Sequence, residues 1–140
     1  MEKKDLKPAG VFKYFEEICQ VPRPSKKEEK MIAYLKAFGA KHNLETKVDE
    51  AGNVSIKKPA TPGKENLQTV VLQSHIDMVC EKNNDVQHDF LTDPIETEID
   101  GEWLKAKGTT LGADNGIGVA TELAILADDS IEHGPLECLF

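Results

Sequence analysis

His75 and Asp77 stand at the end of a short, almost wholly apolar and β-branched run, Thr69 to Gln73. Asp114 stands in a glycine-bounded turn, Gly112-Ala113-Asp114-Asn115-Gly116-Ile117-Gly118. An imidazole and carboxylates are donors that divalent metal sites use. Side chains two apart on an extended chain point the same way, so His75 and Asp77 can converge. In one division of labour, a ring nitrogen of His75 binds a metal while a carboxylate accepts from the other nitrogen and fixes the tautomer. Asp77 can fill that supporting role or bind the metal itself. Asp114 is open to two readings as well. A strained turn that presents one carboxylate suits a hard or borderline cation, whereas Asp114 or Asn115 can equally cap the helix that follows. A lone His-x-Asp is common on ordinary surfaces, and it is the conjunction with Asp114 that reads as part of a metal site.

The elements that must position these residues are legible from periodicity. Val11, Phe12, Phe15, Ile18 and Cys19 recur at helical spacing, and Pro22 and Pro24 end that helix. Ser25 followed by Glu28 reads as a capping box for a second helix with Met31, Ile32, Leu35 and Phe38 as its buried stripe. Thr46 to Val48 and Val54 to Ile56 alternate as two strands joined at Gly52-Asn53, and Pro59 to Gly63 is a loop. The Thr69 to Gln73 run predicts a strand covered on both faces in a largely parallel sheet, and open α/β sheets bind ligands at the carboxyl ends of such strands. Ile95 to Ile99 and Trp103 to Ala106, joined by Asp100-Gly101, predict a hairpin. Ile117, Ala120, Leu123, Ala124 and Ala127 predict an amphipathic helix over 116–127, and Leu136 to Phe140 a last strand. Interleaved strands and helices make the fold class α/β.

At 140 residues, 39% hydrophobic and 30% charged, the chain has the make-up of a globular domain. A net charge of −8 argues against nucleic acid or anionic membrane as partner, since both demand a clustered cationic surface. Lys26, Lys27 and Lys30 are interleaved with Glu28 and Glu29 and read as a solvated helix face. The lysines near Met1 are followed by no apolar core, so no signal peptide is expected. No apolar run approaches the roughly 18 residues of a membrane span, and a cytoplasmic location is the expectation. The three cysteines, Cys19, Cys80 and Cys138, have neither disulfide nor Cys-x-x-Cys spacing; Cys19 and Cys138 fall in apolar patterns and are assigned to the core.

Other motifs fail on inspection. The acidic stretches 85–93 and 128–137 carry Phe90 and His133 where a calcium loop needs glycine. The glycines from Gly108 to Gly118 lack dinucleotide spacing, there is no phosphate loop, and Ser74 has no nucleophile elbow around it. His42, His88 and His133 lie in polar segments and read as ordinary surface histidines.

Two segments carry a family resemblance, Ser74-His75-Ile76-Asp77-Met78-Val79 and Gly112 to Gly118. They resemble the co-catalytic zinc peptidases of the M20 family, in particular the aminoacyl-histidine dipeptidase branch, also called peptidase D, β-alanyl-histidine dipeptidase or carnosinase-like. Phe15 to Ser25 is similar to that branch's opening, and Asn115 favours the branch over the wider family, where a lysine often follows the aspartate. The resemblance implies the N-terminal portion of a zinc-peptidase (phosphorylase/hydrolase-like) catalytic domain, a mixed sheet flanked by helices, over residues 1–140. The rest of that domain and a dimerisation or lid domain are expected outside it.

Carried over residue by residue, the resemblance makes His75 a zinc ligand, Asp77 the catalytic-site carboxylate that orients it, and Asp114 the carboxylate bridging two metals. It implies Zn2+, two per site, with Co2+ or Mn2+ as other divalent candidates. A Glu-Glu pair holding the general base, and further ligands, would follow Phe140. The implied activity is hydrolysis of unblocked dipeptides, Xaa-His among them, by a homodimeric parent protein whose partner is a small peptide substrate. A tripeptidase or N-acyl amino acid deacylase of the same family would keep the three residues. In a different class, the polypeptide would be a binding or folding fragment without activity. Nothing in the sequence specifies which residues contact substrate.

Overall fold

The computed structural model describes residues 2–140. Helix α1 (Ala9–Cys19) follows Pro8, whose fixed backbone sits at its N-cap, and it stops ahead of Pro22, because a residue preceding proline is pushed out of helical geometry. It buries Tyr14, Phe15, Ile18 and Cys19, as the spacing predicts. Helix α2 (Glu29–Lys41) buries Met31, Leu35 and Phe38. Leu35 is fully enclosed, so Leu35→Ala is expected to cost about 2–5 kcal/mol.

Strands β1 (Glu45–Val48) and β2 (Val54–Lys58) form the expected antiparallel hairpin, with Thr46 opposite Ile56. Strand β3 (Val70–Gln73) and the last strand, β6 (Leu136–Leu139), pair in parallel, with Leu72 opposite Cys138. Because β6 also pairs antiparallel with β2, the four-stranded sheet has the order β1-β2-β6-β3 and is mixed. Between β3 and β6 the chain makes a separate two-stranded hairpin, β4 (Thr97–Asp100) with β5 (Trp103–Ala106), and then helix α3 (Ala113–Ala127). Lys58, itself buried, donates from Nζ to the main-chain oxygens of Asp128 at 2.9 Å and Ile125 at 3.4 Å, placing a cation on the carbonyls at the end of α3.

Three sequence expectations need correction. Ser25 and Glu28 form no capping box: α2 begins only after Glu28, whose carboxylate accepts from the Lys26 amide, and the Ser25 hydroxyl is used elsewhere. Within the described residues β3 lies at the edge of the sheet, where cover on both faces was expected. Among the described residues β6 is its only strand neighbour, and Val70 and Val71 are 51% and 56% exposed. The buried face of α3 is also wider than a single stripe. Val119, Glu122 and Leu126 are buried along with Ala120 and Leu123, while Ile117 faces outward, because α3 lies against both α1 and β3.

Candidate metal centre

The carboxyl end of β3 runs into the extended segment 74–78, and this segment lies beside the turn that opens α3. The three residues singled out by sequence meet here. His75 Nδ1 is 3.0 Å from Asp77 Oδ1, and His75 Nε2 is 2.9 Å from Asp114 Oδ1. The imidazole thus has a carboxylate at each nitrogen. Burial opposes charge on the ring, but Asp114 and then Asp77 outweigh it and raise the His75 pKa above its ordinary value. The two carboxylates differ in setting. The Asp114 side chain is 96% exposed, whereas that of Asp77 is 35% exposed and accepts from the Ser25 hydroxyl through Oδ2. The Ser25 bond, followed by His75, holds the Asp77 pKa below its ordinary value against the effect of burial.

Of the two residues offered as a cap for this turn, Asn115 takes the role and Asp114 does not. Asp114 and Asn115 have non-helical backbone inside α3, and the peptide bond between them is cis. Asn115 Oδ1 accepts from the Gly118 amide at 3.2 Å and so occupies one of the free donors of the first helical turn. Asp114 makes no cap and faces His75. Gly112 has φ of +74°, a conformation that glycine adopts without strain.

Other supporting groups escaped the sequence reading. The segment Arg23-Pro24-Ser25 lies along the His75 loop like an added strand: the Met78 amide donates to Arg23 O at 3.0 Å, and the Ser25 amide to Met78 O at 3.2 Å. Below the loop, Glu122 is 4% exposed and accepts from the Ser74 hydroxyl, while its Oε1 has no partner. Burial pushes the Glu122 carboxyl up to about 7, although the Ser74 bond pulls the other way. The available signal was weak: Glu122 falls three residues after Val119, on what proves to be the enclosed side of α3. The remaining histidines are half-buried and distant from this chemistry. His42 packs against Phe38 and His88 against Phe90 with tilted rings, and His133 bonds its neighbour's carbonyl.

The donor types suit a divalent cation, since one imidazole nitrogen and one exposed carboxylate oxygen face each other and a second carboxylate fixes the ring from behind. They are a partial set. Among the described residues no group of three or more His, Cys, Asp or Glu side chains is arranged around one ion position. A cavity of about 260 Å³ opens beside His75 and Asp77, lined also by Gly52, Asn53, Ser74 and Phe140.

Comparison with known proteins agrees with this geometry. No family model matches the chain. The chain is 51% identical over 138 residues to the cytosol non-specific dipeptidase of Escherichia coli (strain K12), which covers 99% of the chain and 28% of that relative. The solved aminoacylhistidine dipeptidase from Vibrio alginolyticus superposes with a TM-score of 0.95 and 54% identity, again over 99% of this chain and 28% of that one. A tripeptidase from Staphylococcus aureus and the aminopeptidase PepT from Bacillus cereus superpose with TM-scores of 0.73 and 0.75 at 22% identity. Each spans 93% of this chain and 35% of its own, a likeness of fold alone. Over nearly its whole length the chain is therefore similar to dipeptidases of the aminoacyl-histidine, or peptidase D, branch of the M20 family, and it spans a little over a quarter of the length of those relatives.

Proposed function

We propose that residues 1–140 supply the N-terminal portion of the catalytic domain of a metal-dependent dipeptidase acting on unblocked dipeptides, Xaa-His among them. The observation that carries this reading is the His75 imidazole held between Asp77 and Asp114 at the carboxyl end of β3. The dipeptidase names of the relatives at 51% and 54% identity support it.

In this reading His75 Nε2 and Asp114 hold divalent metal, with zinc the first candidate and Co2+ or Mn2+ the others. When bound, a metal pair in such a site lowers the pKa of a bound water and polarises the scissile carbonyl. The chain's own residues prepare for that. Asp77 accepts from Nδ1, which leaves the Nε2 lone pair as the ligating one and raises its basicity. Ser25 donates to the other oxygen of Asp77 and so restrains the carboxylate that meets the ring. Asp114, almost wholly exposed, presents its carboxylate beside Nε2, where it would share the metal. The general base and further ligands belong to parts of the protein beyond these residues. A cytosolic location is part of the proposal, supported by the name of the Escherichia coli relative; no helix among the described residues is long and apolar enough to cross a membrane.

The test is substrate profiling of the full-length protein, stripped of metal and then reconstituted with zinc, against Xaa-His and other dipeptides, tripeptides and N-acyl amino acids. Zinc-dependent cleavage confined largely to dipeptides is expected. Preference for tripeptides or acyl amino acids would move the assignment to another branch, and full activity in the metal-free protein would overturn it.

A further inference from the structure

Arg23 has a setting that the fold alone does not require. Its side chain is 2% exposed, and its guanidinium keeps its charge at any relevant pH. Among the described residues no carboxylate lies within ion-pairing distance of it. A buried charge without a counterion is strongly unfavourable unless hydrogen bonds replace its lost water. Here the replacements come from two main-chain oxygens. Nη1 donates to Ile76 O at 3.1 Å, and Nη2 donates to Gly112 O at 2.7 Å. Ile76 lies between His75 and Asp77, and Gly112 lies two residues before Asp114. One guanidinium therefore joins the two loops that carry the site.

We infer that Arg23 is a positioning residue whose guanidinium clamps the His75–Asp77 loop to the Asp114 turn and so sets the separation of the two metal-facing side chains. The inference rests on the reading of His75 and Asp114 as metal ligands. Three features make the clamp stiff. The guanidinium is a planar fork with fixed donor directions, which a lysine ammonium cannot reproduce. The Arg23 main chain is pinned independently, because its carbonyl accepts from the Met78 amide. The turn is also cleared to admit the group: a Cβ built on either Gly112 or Gly116 would fall 2.6 Å from Nη2. An arginine that only filled space would need neither both carbonyls nor both glycines.

The experiment uses the full-length protein, freed of metal and titrated with Zn2+, with folding followed by circular dichroism and thermal melting. Arg23→Lys keeps the charge but cannot span both carbonyls, and Gly116→Ala presses on the guanidinium from the other side. Each is expected to weaken zinc binding about tenfold or more in a folded protein and to lower kcat more than it raises KM, the signature of misplaced rather than missing groups. In the double variant the shorter lysine leaves room for the alanine methyl, so the losses should be no worse than the larger single loss instead of multiplying. Wild-type zinc affinity in folded Arg23→Lys, or multiplied losses in the double variant, would overturn the inference. If Arg23→Lys melts below the assay temperature, Gly116→Ala decides alone, and wild-type zinc affinity there overturns it. His75→Ala separates this inference from the reading beneath it. Undiminished zinc binding in His75→Ala would remove both, whereas its loss there combined with wild-type affinity in Arg23→Lys would remove the clamp alone.

Discussion

Ser25 donates its hydroxyl to Asp77 Oδ2, so the carboxylate that orients His75 is itself held by a residue 52 positions earlier in the chain. Ser25→Ala removes this donor and should let the Asp77 pKa rise toward its ordinary value, since the Ser25 bond is the largest cause of its depression. The loss is expected to cost about 1 kcal/mol of stability and about tenfold in metal affinity or kcat/KM, the lower end for groups behind a ligand. Carbon-detected NMR titration of Asp77 in the variant checks it; an unmoved pKa would remove the role given to Ser25.

Metal content should separate the three site residues in the full-length protein. His75→Ala is expected to lose one metal and nearly all activity, and Asp77→Ala to retain more metal than Asp114→Ala, because Asp77 acts through the ring while Asp114 faces its ligating nitrogen. Elemental analysis after dialysis decides. Equal loss in the two aspartate variants would contradict this division.

Glu122 should make stability depend on pH in an unusual direction. Its carboxyl is pushed up to about 7 from an ordinary value of 4.5, so the folded protein keeps a proton that the unfolded chain releases. Its contribution is neutral below the ordinary value, turns unfavourable as pH rises through the window to about 7, and is fully unfavourable above it, by a magnitude on the order of 3 kcal/mol. Glu122→Gln still accepts from Ser74 but cannot ionise. Urea unfolding from about pH 5 to about pH 8 should show the variant gaining on the natural protein as pH rises. Parallel stability profiles would show that Glu122 titrates normally.

Gly118→Ala tests the capping of α3. A Cβ there would fall 2.2 Å from Asn115 Oδ1, the acceptor for the Gly118 amide, and would force that side chain away. A loss of about 1–3 kcal/mol is expected from the displaced cap and the crowding. Thermal melting beside Gly63→Ala, whose Cβ would meet nothing within 4 Å although its φ is +89°, separates steric crowding from backbone strain. Equal losses in the two variants would deny the steric part.

A polypeptide limited to residues 1–140 is expected to hydrolyse no dipeptide and to bind zinc weakly, because one imidazole and one facing carboxylate do not complete a tetrahedral site. Titration calorimetry and a histidine-release assay check both points. A tight isotherm for two zinc ions would refute the weak-binding expectation.

The meeting of His75, Asp77 and Asp114 was legible because its signals are local: a two-residue period after an apolar strand, and a carboxylate among glycines before a helical pattern. The hairpins and all three helices were legible for the same reason. Arg23, Ser25 and Glu122 were not, because their roles depend on partners 48 to 89 positions away. Pro22 and Pro24 disguised the first two as punctuation, and the Ser-x-x-Glu spacing offered a local explanation that the fold does not use. β3 misled in the opposite way, since its apolar composition is that of a covered strand while Val70 and Val71 are exposed along this chain.

The strand order also dictates when the site can form. β3 has β6 as its strand neighbour among the described residues, and β6 follows the β4–β5 hairpin and α3 in sequence. A parallel pair joined through so long an intervening segment is closed late, because loop-closure entropy must be overcome before the pairing returns anything. During synthesis from the N-terminus, the helices and the β1–β2 hairpin can fold as they emerge, but His75 has no fixed floor until Leu136 to Leu139 arrive. Assembly of the chemistry is thus a timed event, and a slow translation step before Leu136 would prolong the interval in which β3 is an open template for other chains.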